Sequence, residues 1–226
     1  VSFGTDGWRG IIADDFTYEN LGRVTQGLAK YLKSSRRRDL EIYDQWGTPY
    51  RSADEGVIIG YDGRFASENF ALYVARVLLS EGIPASVTEG MVPTPALAHS
   101  INEREAAAGV MITASHNPPE YNGFKVKIES GASAPPVVTD RIETELPEDS
   151  PEVDKALKVE RVDVSSAYID ALTQLIDEEK IKKSPVFPVI DSMYGSAQGF
   201  TAEVLDGFGI PHVEVRNEHN PGFKGI

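Results

Sequence analysis

Ala108-Gly109-Val110-Met111-Ile112-Thr113 runs straight into Ala114-Ser115-His116-Asn117-Pro118-Pro119-Glu120-Tyr121-Asn122-Gly123-Phe124-Lys125. The first six residues form a short apolar run, the pattern of a strand buried on both faces. Pro118 and Pro119 bar that strand from continuing, residues 124–128 read as a second strand, and Gly123 permits a tight return between the two. Ser115 therefore emerges at the carboxyl end of a buried strand, where α/β sheets bind their ligands. A serine presented this way can accept and release a phosphoryl group, with His116 or Lys125 moving the hydroxyl protons. The plainer alternative is that Ser115, His116 and Asn117 only tie a loop together.

Working outward, Leu21, Val24, Leu28 and Leu32 recur at helical spacing, so residues 18–33 form a helix, with Thr17 as its cap and Phe16 and Leu21 as its staple. Residues 57–61 and 85–88 read as strands. Ser67 caps a helix between them that carries Phe70, Val74, Val77 and Leu78 and stops near Gly82. Val92-Pro93-Thr94-Pro95 turns into a helix ending about Asn102. Residues 130–164, rich in proline and acid, hold one helical piece at 138–146. Ser165 or Ser166 caps a helix to about Glu179. A strand at 186–190, a glycine-bearing turn at 191–199, a helix to about Phe208 and a strand at 212–215 follow. The alternation predicts a layered α/β/α domain with a mixed sheet, then the start of a second, similar α/β domain. The expected division is domain I at 1–150, a linker and helix at 151–183, and the opening of domain II at 184–226. Residues 34–56 look irregular and are expected to be a mobile insertion. Arg36-Arg37-Arg38 inside them reads as a solvated loop.

Composition narrows the partners. The 226 residues carry 22 Lys and Arg against 35 Asp and Glu, a formal charge of −13. Such a surface repels nucleic-acid backbones and anionic headgroups, so neither nucleic acid nor membrane is expected as a partner. A phosphorylated small molecule would need a local basic cluster. No apolar run reaches the roughly 18 residues of a membrane span, the first residues lack signal-peptide character, and there is no cysteine. A reducing cytoplasm is the expected location. His99, His212 and His219 are widely spaced and read as surface or loop histidines. Residues 194–199 lack both Gly-x-Gly-x-x-Gly and a Walker lysine, so that turn reads as structural.

The loop at 113–125 resembles the active-site serine loop of the phosphoglucomutase/phosphomannomutase (α-D-phosphohexomutase) family. Phe3-Gly4-Thr5-Asp6-Gly7-Trp8-Arg9-Gly10 resembles that family's amino-terminal signature, Gly60-Tyr61-Asp62-Gly63-Arg64 its second motif and Pro93-Thr94-Pro95 its third. Asp191-Ser192-Met193-Tyr194-Gly195-Ser196 and Asn220-Pro221-Gly222-Phe223 look like the opening of its second domain. The resemblance implies a mutase that interconverts hexose 1-phosphate and hexose 6-phosphate through a phosphate on Ser115 and a hexose 1,6-bisphosphate intermediate. By similarity Arg9 lies near the phosphoserine and substrate. Lys125 and His116 are the acid/base candidates. Arg64 and Asn117 join Arg9 and Lys125 as phosphate-binding candidates. The competing readings are a salt bridge from Arg9 to Asp6 and one from Arg64 to Asp62.

The resemblance also implies Mg²⁺, held by the Ser115 phosphate and by an Asp-x-Asp-x-Asp loop that is not among these 226 residues. The family's sugar-reading loop and carboxyl-terminal phosphate loop are not among them either. The chain is accordingly expected to be an amino-terminal portion, inactive and poor at binding Mg²⁺ by itself. Glu120-Tyr121-Asn122-Gly123 looks closer to the glucose/mannose branch than to the glucosamine branch. Two rivals stand beside this reading. One is a non-catalytic module derived from a mutase. The other is a serine hydrolase, against which the missing Gly-x-Ser-x-Gly elbow counts.

Overall fold

The computed structural model describes residues 1–4, 7–44 and 47–225. In chain order the elements are β1 (Trp8–Ile11), α1 (Tyr18–Lys33), α2 (Glu41–Asp44), β2 (Val57–Tyr61), α3 (Ser67–Ser80), β3 (Ala85–Thr88), α4 (Thr94–Glu103), β4 (Ala108–Ile112), β5 (Tyr121–Lys127), α5 (Pro136–Thr144), β6 (Glu160–Val162), α6 (Ser165–Gln174), α7 (Glu178–Lys183), β7 (Val189–Asp191), α8 (Phe200–Gly207) and β8 (Val213–Val215). Six strands form one mixed sheet in the order β1-β5-β4-β2-β3-β6. β4, β2, β3 and β6 run parallel, and β5 and β1 add antiparallel at one edge. β7 and β8 form a separate parallel pair.

Side-chain alternation explains the layers. Val57, Ile59 and Tyr61 of β2 join Val110 and Ile112 of β4 in a core under α1, α3 and α5. Ile58 and Met111 face the other way, into a second core with α4, α6 and α8. A right-handed crossover from β2 to β3 and another returning from β3 past β2 to β4 require helices on opposite faces. The result is the expected α/β/α arrangement, and β7, α8 and β8 begin a second α/β unit. The main sheet nevertheless reaches past residue 150, because Glu160–Val162 pairs with β3.

Several local expectations change. β1 and β6 carried no strand signal of their own. β5 starts at Tyr121, so Gly123 lies inside a strand and not in a return. A Cβ there would sit 2.6 Å from the Thr113 carbonyl oxygen and 2.9 Å from that of Trp8, so the glycine serves close packing of three strands. The helix predicted to Glu179 breaks after Gln174 and resumes as α7. Asp163, two residues before the first of the serines proposed, accepts from the N–H groups of Ser165 (2.8 Å) and Ser166 (3.4 Å) and so caps α6. Ser67 does not cap α3. Ala66 stands there at φ 58, and the Ser67 hydroxyl donates to Asp62.

Within 34–56, the described residues carry buried groups of their own. Leu40 and Ile42 enter the main core, and Arg37, expected to be solvated, is 2% exposed. Its guanidinium pairs with Glu129, donates to the Leu32 and Arg51 carbonyls, and lies between the rings of Tyr31 and Tyr50. Arg38 sits over Tyr50 at 4.3 Å, while the Arg36 side chain lies outside the described positions.

Candidate active site

The serine loop is built by short-range hydrogen bonds at the carboxyl end of β4. Thr113 N–H donates to the Gly123 carbonyl (3.0 Å), which ends the β4–β5 ladder. The chain then makes two consecutive turns, Asn117 N–H to Ala114 O (3.1 Å) and Tyr121 N–H to Pro118 O (3.1 Å). Ser115 sits in the left-handed region at φ 58, and its N–H donates to Thr113 Oγ1 at 3.0 Å. A non-glycine residue adopts that conformation only when its surroundings impose it. Ser115 is exposed, and its Oγ lies 3.4 Å from His116 Nδ1. Among the described residues no acceptor orients the other nitrogen of that exposed imidazole, as a hydrolase triad would require.

The sheet brings Arg9 and Lys125 to this loop. β1 pairs with β5 so that Arg9 lies opposite Gly123, and β5 pairs with β4 so that Lys125 lies opposite Met111. Trp8, Phe124 and Val126 enter the core under α1 and α3. Strand alternation therefore puts Arg9, Gly123 and Lys125 together on the opposite face. Arg9 is half-buried and donates to Asn117 Oδ1 at 2.8 Å, a direct tie between the sheet edge and the serine loop. Lys125 is only 6% exposed, and the missing side chain of Gly7 makes room for it: a Cβ at Gly7 would lie 3.1 Å from Lys125 Cγ. The alternative partner for Arg9, Asp6, lies outside the described residues, as does Thr5 of the same motif.

Arg64 takes a different place from the rest. It is 4% exposed and makes the ion pair with Asp62 at 3.2 Å. Its terminal nitrogens donate to the carbonyls of Ser115, Asn117, Pro118 and Tyr121. Burial lowers its pKa, Asp62 opposes that, and Arg9 pushes the same way as burial. The second candidate of the Asp62 motif is thus turned inward, onto the back of the loop. From the sequence Asp62 was read only as the rival salt-bridge partner of Arg64, Ser67 only as a helix cap and Asn122 only as part of the serine loop, yet the three form a buried chain behind Arg64. Asn122 donates to Ser67 Oγ at 2.9 Å, and Ser67 donates to Asp62 at 2.9 Å. The nearest signal was the Asp62-x-Arg64 spacing.

Opening beside this chain is a recess of about 400 Å³ lined by Asp62, Arg64, Ser67, Asn69, Met91 and His219. Ser115, Arg9 and Lys125 do not line it. His219 lies 3.0 Å from the Gly63 carbonyl, so the opening of the second unit touches the same turn. At the 194–199 turn, Gly199 N–H is taken by the Glu214 carboxylate (3.0 Å), the place an anion would occupy. Among the described residues no group of three or more His, Asp or Glu is arranged to hold a metal ion, and no helix is long and apolar enough to cross a membrane.

Comparison with known sequences and structures agrees with this fold. Residues 1–152 match the family described as "Phosphoglucomutase/phosphomannomutase, alpha/beta/alpha domain I". The chain is 32% identical over 223 residues to a phosphoglucosamine mutase of Corynebacterium aurimucosum, covering 96% of this chain and 46% of that protein. It is 31% identical over 205 residues to a "Probable phosphomannomutase" of Haemophilus influenzae, covering 86% and 38%. A crystal structure from Thermus thermophilus, described as a "putative phosphomannomutase", superposes with a TM-score of 0.86 at 32% identity, covering 100% of this chain and 48% of that one. The chain spans less than half the length of these relatives.

Proposed function

The chain belongs to the phosphoglucomutase/phosphomannomutase family, and on that premise we propose that Ser115 is the phosphate carrier of a phosphohexomutase acting on glucose or mannose phosphates. The observation that carries the proposal is Ser115 itself. It is an exposed hydroxyl held in a left-handed turn at a strand end, with Arg9 tied to its loop and Lys125 on the neighbouring strand face.

In the forward step the phosphoryl group leaves Ser115 Oγ for a hydroxyl of the hexose monophosphate. The Oγ–P bond breaks as the new O–P bond forms, and the proton of the attacking hydroxyl passes to Lys125 or His116. Ser115 recovers a proton from the same pool. Reversal at the other end of the bisphosphate returns a phosphate to Ser115 and releases the isomer. Arg9 and Asn117 hold phosphate oxygens from the sheet side, and the Arg9 fork places charge-assisted donors where charge builds on the transferring group. Mg²⁺, which the family resemblance implies, would neutralise charge on the Ser115 phosphate, its one ligand from this chain. The described residues supply no cluster to complete its coordination, and no step here is routed through it. Turnover and sugar choice belong to the whole protein.

The test is direct. After incubation of the full-length protein with glucose 1,6-bisphosphate, peptide mass spectrometry should find phosphate on Ser115. Coupled assays on glucose 1-phosphate, mannose 1-phosphate and glucosamine 1-phosphate should show turnover on the first two that Ser115→Ala abolishes. An unphosphorylated Ser115, or a Ser115→Ala variant with substantial activity, would sink the reading. Faster turnover of the glucosamine phosphate would refute the sugar assignment alone.

A further inference from the structure

A guanidinium has five N–H donors in one plane, and in Arg64 each has an acceptor. Nε donates to the Asp62 carboxylate at 3.2 Å. One terminal nitrogen donates to the carbonyls of Pro118 (2.8 Å) and Tyr121 (3.1 Å), the other to those of Ser115 (2.9 Å) and Asn117 (2.7 Å). Four of the five acceptors are therefore backbone oxygens of the loop that presents the nucleophile. Asp62 is fixed in turn by the Arg64 N–H at 3.1 Å and by the Ser67 hydroxyl at 2.9 Å. The Phe223 ring covers one face of the guanidinium, 5.2 Å from Cζ.

Ser115 needs such support. Its left-handed backbone is held from one side by Thr113 Oγ1 on its N–H and from the other by Arg64 on its carbonyl. The two peptide planes that set the direction of Oγ are thereby both pinned. Arg64 could reach a substrate phosphate only by releasing the loop it holds.

We propose that Arg64 is a positioning residue for Ser115: it gathers the carbonyls of residues 115–121 around one buried planar cation and keeps Ser115 left-handed with its hydroxyl outward, without touching the phosphoryl group. The effect on turnover rests on the phosphoserine reading above; the effect on the loop does not. Lysine cannot replace this function, because its ammonium has three donors and no fixed plane.

Two readouts in the full-length protein separate these parts. In Arg64→Lys, hydrogen exchange across residues 113–121 should quicken by about tenfold, the scale of one or two lost hydrogen bonds, with the β2 and α1 peptides unchanged. Turnover should fall by about 10²-fold with KM within about twofold, as expected when a nucleophile is displaced and not when a phosphate ligand is lost. Asp62→Asn, which keeps the shape of the anchor, should give the same signature more weakly and serves if Arg64→Lys does not fold. A raised KM with little loss of kcat would make Arg64 a phosphate ligand and overturn the proposal. A lowered melting temperature with normal kcat per folded molecule would overturn it as well. If wild-type Ser115 never carries phosphate, the mutase reading falls and hydrogen exchange alone decides the role of Arg64. Unchanged exchange across 113–121 then refutes it.

Discussion

Methionine in place of Arg37 would leave the Glu129 carboxylate, 1% exposed, with the Tyr43 hydroxyl at 2.7 Å as its remaining donor from this cluster. The carbonyls of Leu32 and Arg51 would lose the donors that now reach them at 3.2 and 2.8 Å. Removing one partner of a buried ion pair costs about 3–5 kcal/mol, because the other charge stays desolvated and uncompensated. Methionine refills most of the arginine stem, so little cavity cost adds to this. For a chain of this size each kcal/mol moves the midpoint by about 2–4 °C, so Arg37→Met should lower the melting temperature by roughly 6–20 °C. Replacing both partners removes the stranded charge, and Arg37→Met/Glu129→Met should therefore be clearly more stable than Arg37→Met. Circular dichroism during thermal and urea unfolding measures both. A single variant within about 1 kcal/mol of wild type would show that water or another donor reaches Glu129. A double variant as unstable as the summed singles would show that the cost is packing and not charge.

Two further outcomes follow from named contacts. Arg9→Ala and Lys125→Met should each lower kcat of the full-length protein by about 10²-fold or more. Lys125 is buried, so methionine is the informative replacement there, and normal activity with a much lower melting temperature would make either residue structural. Asp163→Ala should cost about 1 kcal/mol at neutral pH, the usual loss of a helix cap. Hydrogen bonding from Ser166 is the main cause of the lowered Asp163 pKa, and the N–H groups of Ser165 and Ser166 add to it. A depressed folded pKa means the contribution is present above the unfolded value near 3.9 and is lost as pH falls through the folded one. The gap between wild type and variant in urea midpoints should thus be smaller at acid pH, below about 3.9, than at pH 7. An equal gap at both pH values would mean the carboxylate charge is not what caps α6.

Elements whose cause is local were legible in the chain. α1 came out at its observed bounds because Thr17, the leucine spacing and the following polar run all lie within a few residues, and Thr17 Oγ1 does accept from Asn20 N–H. Ser115 was legible because a buried strand running into paired prolines places its residue at a strand end whatever the rest of the fold does. β1 and β6 were not, since Trp8–Ile11 and Glu160–Val162 are too short to show a period and become strands only by pairing with β5 and β3. Arg37 looked solvated because its neighbours are charged, while the carboxylate that explains its burial is 92 residues away.

Arg64 shows how one residue of a motif can suit two roles. Beside a reactive serine, an arginine reads as a phosphate ligand, because its charge and fork suit that task. The same fork suits backbone carbonyls equally well, and the choice between them depends on which loop closes over the end of β2. That loop arrives from β4, more than 50 positions later in the chain, and turns the carbonyl oxygens of Ser115, Asn117, Pro118 and Tyr121 toward the guanidinium. Arg9 has the same chemistry but starts from the edge strand, half-buried and two strands farther from the crevice between β2 and β4. It donates to the Asn117 side chain of the loop, which can turn. Of the two arginines, Arg64 is thus set by the sheet order against the carbonyls of the Ser115 loop, and Arg9 stays half-buried on the sheet face that also carries Lys125.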